Sequence, residues 1–338
     1  MRLQSLTILL VLPALNLFAA PPANAPLPIE EVSGVYAIAA DRMFSDAIWN
    51  LNITGISIRT YWNKVEPERG RYDWEFLDLI VAKGREYNKK IKLFVLFGAG
   101  VPEWTGTKFI VGSESSEGDA AGVAIPVPWD PTLIREKQKF IRAFAERYRD
   151  EPHVSFLHIA GPSALWAELA LPDNITQQEG YSNEAILDAW KQVIDTWAEV
   201  RGNKRVSISV SAAPPFYKEL GDDIIAYAGG RGAQPGRIGA VFLPQWCYLD
   251  SKFSRSIRAV SENYRPDHLI GWQMWGSTAW PSRKCEDYPK TLELAGEVGS
   301  TLVEIYDADL DQPELARLAE ELDARIKARV RAQTLERP

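Results

Sequence analysis

The sequence predicts an α/β protein built as a single (β/α)8 barrel, and three observations carry that prediction. Eight short runs rich in β-branched residues alternate with amphipathic helical stretches, the pattern of a parallel sheet covered by helices. No Gly/Ser linker or low-complexity block divides the 338-residue chain. About 310 residues beyond an apolar leader is a size that one such barrel routinely reaches. A doubly wound sheet is the main competitor, but no Gly-rich phosphate loop follows the first strand.

Residues 1–25 read as an export signal: Arg2 gives a short basic start, "LTILLVLPALNLFAA" is apolar, and small residues follow. "ANA" ends at Ala25 in small-x-small form, yet Pro26 would follow that cut, so cleavage after Ala19 or Ala20 stays open. An uncleaved membrane anchor is the competing reading, although the apolar stretch is shorter than the roughly 20 residues a spanning helix needs. The barrel domain then occupies 26–338, and the mature protein is expected to be secreted or periplasmic.

The strands are expected at 34–40, 53–61, 90–98, 154–160, 205–212, 238–245, 269–275 and 300–306. Helices are expected between them, notably over 73–87, 131–149, 183–200 and 312–330, each with apolar residues near a 3.6 period and Asp, Pro or Asn near its start. Chemistry in such a barrel belongs to the loops after the strands. The third of these, from about 99 to 130, has a polar, Gly-rich centre that would serve as a lid or cleft wall.

The formal net charge of −7 argues against nucleic acid or an anionic membrane as partner and suits a neutral or cationic ligand. Twelve Trp and twelve Tyr give either sugar-stacking faces or simply a large aromatic core. Cys247 and Cys285, in a chain that looks exported, are expected to form a disulfide between the loops after strands six and seven. Two cysteines and three histidines give no metal-site spacing. Neither a metal nor a cofactor is implied.

Alternation sorts each strand into a face toward the helices and a face toward the barrel axis. Ile56 and Ile58 would face the helices while Ser57 and Arg59 point inward; likewise Leu157 and Ile159 against His158, and Ile208 and Val210 against Ser207, Ser209 and Ser211. Strand six adds Gln245, strand seven Gln273, strand eight Glu304 and Tyr306. Burying so many polar groups is costly unless they bond one another or a ligand, so they form either a structural network or a site.

Residues 55–104, "GISIRTYWNKVEPERGRYDWEFLDLIVAKGREYNKKIKLFVLFGAGVPEW", resemble the second and third units of retaining (β/α)8-barrel glycoside hydrolases, the group that includes β-galactosidases and endoglucanases. Arg59, Trp62, Glu66, Pro67, Gly70, Tyr72, Trp74, Asp78, Pro102 and Trp104 match that group's pattern. The resemblance implies the barrel fold, a carbohydrate substrate, and an Arg59 that supports a catalytic carboxylate; Glu66, Pro67 and Gly70 are read as shaping a loop. The group's catalytic glutamates follow strand four, within Asn-Glu, and end strand seven. Here strand four ends in "AGPS" and strand seven in "WQMWGS", so both are absent. "GPSALWAEL" is also loosely similar to the segment after strand four in β-amylases, which carries an acidic Glu.

Glycosidic cleavage needs a proton donor and a second carboxylate that attacks or activates water. Glu168, beside Trp166 in an apolar loop that would raise its pKa, is the candidate acid. Glu304, inward on strand eight with Arg59 or His158 to orient it, is the candidate second carboxylate. Asp41, Glu103, Asp250, Glu286 and Asp309 are further strand-end or loop carboxylates. Trp62, Trp104, Trp246 and Trp275 would be sugar platforms, with His158, Gln245, Gln273 and Tyr306 contacting the ligand. Ester or peptide hydrolysis is disfavoured, because no Gly-x-Ser-x-Gly elbow is present and Ser163 is the one serine placed to partner His158. The leading expectation is an exported glycosidase-like protein; the rival is a barrel that binds carbohydrate without cleaving it. "NIT" at Asn52 and Asn174 would be glycosylated only in a host that does so.

Overall fold

The computed structural model describes residues 27–335 apart from 99, 113–121, 163–170, 211–217, 232–233, 240, 243–244, 247–269, 275 and 281–287. The barrel strands are β1 (Gly34–Ala40), β2 (Gly55–Tyr61), β3 (Lys90–Leu96), β4 (Val154–Ile159), β5 (Arg205–Ile208), β6 (Val241–Phe242 and Gln245–Trp246), β7 (Gly271–Met274) and β8 (Leu302–Tyr306). Neighbours along the chain pair in parallel, and β1 also pairs with β8. The two parts of β6 pair with β5 and β7 respectively, which closes the sheet into a ring. The expected strand positions are occupied, most of them trimmed by a few residues at an end.

Helices α1 (Asp46–Asn50), α2 (Glu75–Glu86), α3 (Pro131–Tyr148), α4 (Asn183–Val200), α5 (Lys218–Gly229), α6 (Tyr288–Glu297) and α7 (Pro313–Leu335) follow the strands. Their starts are written locally. Asp130 caps α3 by accepting from Thr132 N at 2.7 Å just before Pro131, and Ser182 caps α4 by accepting from Ala185 N at 3.0 Å. Outside the ring, aliphatic residues facing the helices, such as Ile56, Ile58, Leu93, Leu157 and Ile159, are wholly or almost wholly buried.

The loop motif read from the sequence has a direct cause. Glu66 is buried; its Oε2 accepts from Trp62 Nε1 at 2.7 Å and its Oε1 from Gly70 N at 2.8 Å. Gly70 sits at φ 75°, which a side chain would disfavour. Trp62 corrects an expectation: it is fully buried, with Phe97, Trp104 and Phe140 around it at ring separations of 5.3, 5.8 and 5.5 Å. It has no face open to a sugar and belongs to the core.

The floor of the barrel, at the N-terminal ends of the strands, is closed by a polar network centred on Asp323. Asp323 of α7 accepts from Val35 N at 2.7 Å, Thr54 N at 2.9 Å and Thr54 Oγ1 at 2.7 Å, and pairs with Lys327 at 2.7 Å. A Cβ on Gly34 would stand 2.3 Å from Asp323 Oδ1 and 2.0 Å from Thr54 Oγ1, so glycine is required there. Tyr36 donates to Val32 O at 2.8 Å, and burial pushes its phenol up. Lys89 donates to Leu51 O and Ile53 O, and Lys204 to Glu151 O at 2.6 Å, with burial lowering Lys204 to about 8.

Candidate functional site

The barrel interior is built from inward residues of the middle and C-terminal halves of the strands. Register fixes their neighbours: Glu304 lies between Tyr36 and Gln273, Gln273 beside Gln245, Ser57 beside Lys92, Arg59 beside Phe94, and His158 beside Ser207. Tyr306 is the next inward residue above Glu304, and its ring centroid lies 5.7 Å from the Arg59 guanidinium. Phe94 lies 5.4 Å from the same guanidinium. The structure therefore brings Arg59, His158, Gln273, Glu304 and Tyr306 together, as alternation implies.

Two charges meet at the centre. Lys92 Nζ donates to Glu304 Oε1 at 2.7 Å, and both side chains are completely buried. Glu304 is thus held by a cation from strand three. His158 lies against Phe94 with ring centroids 4.0 Å apart, and its Nδ1 is 2.8 Å from Ser207 Oγ. Burial, then the charges of Lys92 and Arg59, push its pKa well down, so the imidazole is neutral near pH 7.

Several buried atoms in this layer have no hydrogen-bond partner among the described residues: both amide atoms of Gln273, Glu304 Oε2, His158 Nε2, Ser57 Oγ and Ser209 Oγ. Polar groups shut away from water are normally paired. They line the inner face of the sheet, where a polar ligand or ordered water would complete them.

Around the mouth, other carboxylates have local work. Asp309, wholly buried, accepts from Ser277 Oγ, Thr278 N and Thr278 Oγ1 and so shapes the loop after strand seven. Asp41 pairs with Lys64 at 2.8 Å, and Asp307 with Arg42 at 2.5 Å. Glu103 is exposed in a short turn. Trp104 is half-buried, donates to Glu66 O at 3.0 Å and has Arg69 5.4 Å from its ring. Trp280, an aromatic that the strand pattern did not single out, lies against Tyr306 with ring centroids 4.4 Å apart and planes tilted by 55°.

Glu168, Trp166, Ser163, Trp275, Cys247, Cys285, Asp250 and Glu286 lie outside the described residues, and of Gln245 and Trp246 only the backbone lies within them. A groove of about 880 Å³ on the outer flank, between α2 and α3, is lined by Tyr72, Trp74, Asp78, Arg147 and neighbours. Its charges pair with one another, Asp78 with Arg147 and Arg85 with Glu151, so it reads as a helix-packing groove remote from the strand ends. Among the described residues no cluster of His, Cys, Asp and Glu is arranged to hold a metal, and no helix is long and apolar enough to cross a membrane.

A beta-galactosidase family model of the glycoside hydrolases matches residues 43–162. The beta-galactosidase bgaB of Geobacillus kaustophilus is 24% identical over 196 residues, covering 52% of this chain and 28% of that enzyme; the chain thus spans little more than a quarter of that relative's length. Among solved structures, the catalytic domain of beta-amylase from Paenibacillus polymyxa superposes with a TM-score of 0.59 at 11% identity, over 89% of this chain and 99% of that one. Endo-glycoceramidase II from Rhodococcus sp. gives 0.54 at 16% identity over 85% and 75%. The beta-galactosidase of the psychrophilic Marinomonas ef1 gives 0.58 at 11% identity over 89% and 60%. These superpositions establish the fold.

Proposed function

We propose that this chain, which carries the (β/α)8 barrel of the glycoside hydrolase superfamily, hydrolyses O-glycosidic bonds of an oligo- or polysaccharide at its C-terminal mouth. The observation that carries this reading is the unmatched polarity of the barrel interior: both amide atoms of Gln273, His158 Nε2, Ser57 Oγ, Ser209 Oγ and Glu304 Oε2 are buried without a hydrogen-bond partner among the described residues. Sugar hydroxyls, each a donor and an acceptor, are the chemistry that would satisfy them.

In this mechanism Glu168 protonates the leaving oxygen and Glu304 is the second carboxylate, attacking the anomeric carbon or activating water. Lys92 would orient Glu304 through Oε1 and leave Oε2 for the reaction. Arg59, His158, Gln245, Gln273 and Tyr306 would contact sugar hydroxyls, and Trp104, Trp246 and Trp275 would stack on the rings. A panel of neutral glycans and aryl glycosides, assayed on wild type, Glu168→Gln and Glu304→Gln, tests the assignment. Turnover in wild type that drops at least a hundredfold in both variants supports it; turnover undiminished in either removes that residue from the pair.

A second reading, binding without cleavage, is favoured by one specific feature. Glu304 is fully buried and occupied by Lys92, while Gly161-Pro162 ends strand four where the resembled enzymes carry a glutamate. Glycan binding with no turnover by wild type would select it. We also propose export by residues 1–25, one barrel domain over 26–338, and a Cys247–Cys285 disulfide. Sequencing the mature N-terminus and counting free thiols under denaturing conditions test the leader and the disulfide.

A further inference from the structure

Lys137 lies on α3, seven residues into the helix and close to the mouth, yet its side chain is completely buried. The β4–β5 ladder runs only to Ile159 opposite Ile208, which leaves the carbonyls of Ala160 and Gly161 beyond the sheet. Lys137 Nζ donates to both, at 2.9 Å to Ala160 O and also to Gly161 O. It stands 3.8 Å from the centre of the Phe97 ring, just past the end of β3. Three donors of one ammonium thus meet two carbonyls and an aromatic face.

The site differs from the other carbonyl-capping lysines. Lys89 and Lys204 cap on the floor, with carboxylates nearby: Asp323 and Glu320 for one, Glu151 and Asp150 for the other. Lys137 has no carboxylate within ion-pair distance among the described residues, and burial alone pushes its pKa well down. A buried ammonium without a counter-ion is costly. Here that cost accompanies the joining of three elements, α3 and the ends of strands three and four, at one atom. Gly161 is held from the other side too: a Cβ there would come within 2.4 Å of the Trp190 ring of α4.

We propose that Lys137 is a positioning residue that fixes the path by which the chain leaves strand four at the barrel mouth. The inference rests on the reading that the mouth acts on glycosides, since Glu168 follows Gly161 by seven residues. Its structural part stands without that reading.

The test uses Lys137→Met, which keeps the apolar stem and removes the donors, beside Lys137→Gln, which restores part of the donor set. Hydrogen exchange followed by peptide is expected to show, in Lys137→Met, at least tenfold faster exchange in peptides covering 158–164, with β1, β2 and α7 unchanged. Unchanged exchange at 158–164, or equal acceleration throughout the barrel, would overturn the proposal. Should Lys137→Met not fold, Phe97→Leu removes only the ring and is expected to loosen the same segment less. On any glycoside that wild type cleaves, kcat is expected to fall at least tenfold in Lys137→Met with KM within twofold, and to recover in part in Lys137→Gln. An unchanged kcat would overturn the link to the reaction. Failure of wild type to cleave any glycoside would sink the glycosidase reading alone, with exchange still deciding the role of Lys137.

Discussion

Two buried polar groups of this barrel, Asp323 on the floor and Gln273 in the interior, are matched to opposite degrees. On the floor, Asp323 gathers two backbone amides, a threonine hydroxyl and a lysine, and Tyr36 finds both Val32 O and Ser155 Oγ. In the interior Gln273 is as deeply buried as Asp323 and has neither amide atom bonded among the described residues. Asp323 is matched on the floor, where Ser300 Oγ is nevertheless buried without a partner among the described residues, and the Gln273 amide above is unmatched at both atoms. On the proposed function, the Asp323 network serves stability and the unmatched atoms of Gln273, His158 and Glu304 are where a ligand would bind.

Four experiments break or sharpen this contrast. Lys92→Met strands Glu304 as a buried, unpaired carboxylate and is expected to cost about 3–5 kcal/mol, whereas adding Glu304→Leu should recover most of the loss. Urea unfolding of the two single variants and the double variant measures both. Asp323→Ala leaves Val35 N, Thr54 N and the Thr54 hydroxyl without their acceptor, for an expected loss of about 3 kcal/mol. Glycan affinity of the folded fraction should not change, which equilibrium binding below the melting temperature checks.

His158 gives a smaller, pH-dependent effect. Its folded pKa lies well below its unfolded value of about 6.5, so below that pH the unfolded chain takes up a proton that the folded one refuses. Stability is then lost as pH falls through about 6.5 and below, by at most about 1.4 kcal/mol per pH unit for this group. Wild type minus His158→Gln, followed by urea unfolding from pH 7 to pH 5, should show a difference of about 1–2 kcal/mol in that direction. The smallest effect on stability is expected at the mouth itself. Gln273→Leu should be neutral or stabilising by up to about 1 kcal/mol, because no described residue hydrogen-bonds the amide, while glycan binding falls sharply. A large destabilisation would mean that Gln273 is structural, and the contrast between the two groups would fail.

Alternation was enough to read most of the barrel interior, because a strand admits only two faces and the apolar set declares one of them. Ser57, Arg59, His158, Gln273 and Glu304 were all legible that way. Lys92 was equally legible in principle, since Ile91, Leu93 and Val95 mark the opposite face of "KIKLFVL". Lys137 and Asp323 also carried a signal: each falls on the apolar stripe of its helix, beside Ile134, Phe140 and Ile141 in one case and Leu322 and Ile326 in the other. A lone charge on such a stripe announces a buried partner without naming it. Trp62 shows the converse failure, because matching a motif says nothing about which face of the indole remains open.

By itself, then, the sequence determined the barrel, the order of its strands, the approximate starts of its helices and most of the residues that point inward. These follow from short-range periodicity and steric rules that each segment obeys alone. Only the tertiary structure decided which groups meet. Lys92 and Glu304 are 212 positions apart, and Asp323 is 288 positions from the Val35 amide that it accepts from. Such pairings depend on ring closure and register across strands, where a shift of one residue would turn every inward side chain to the helices.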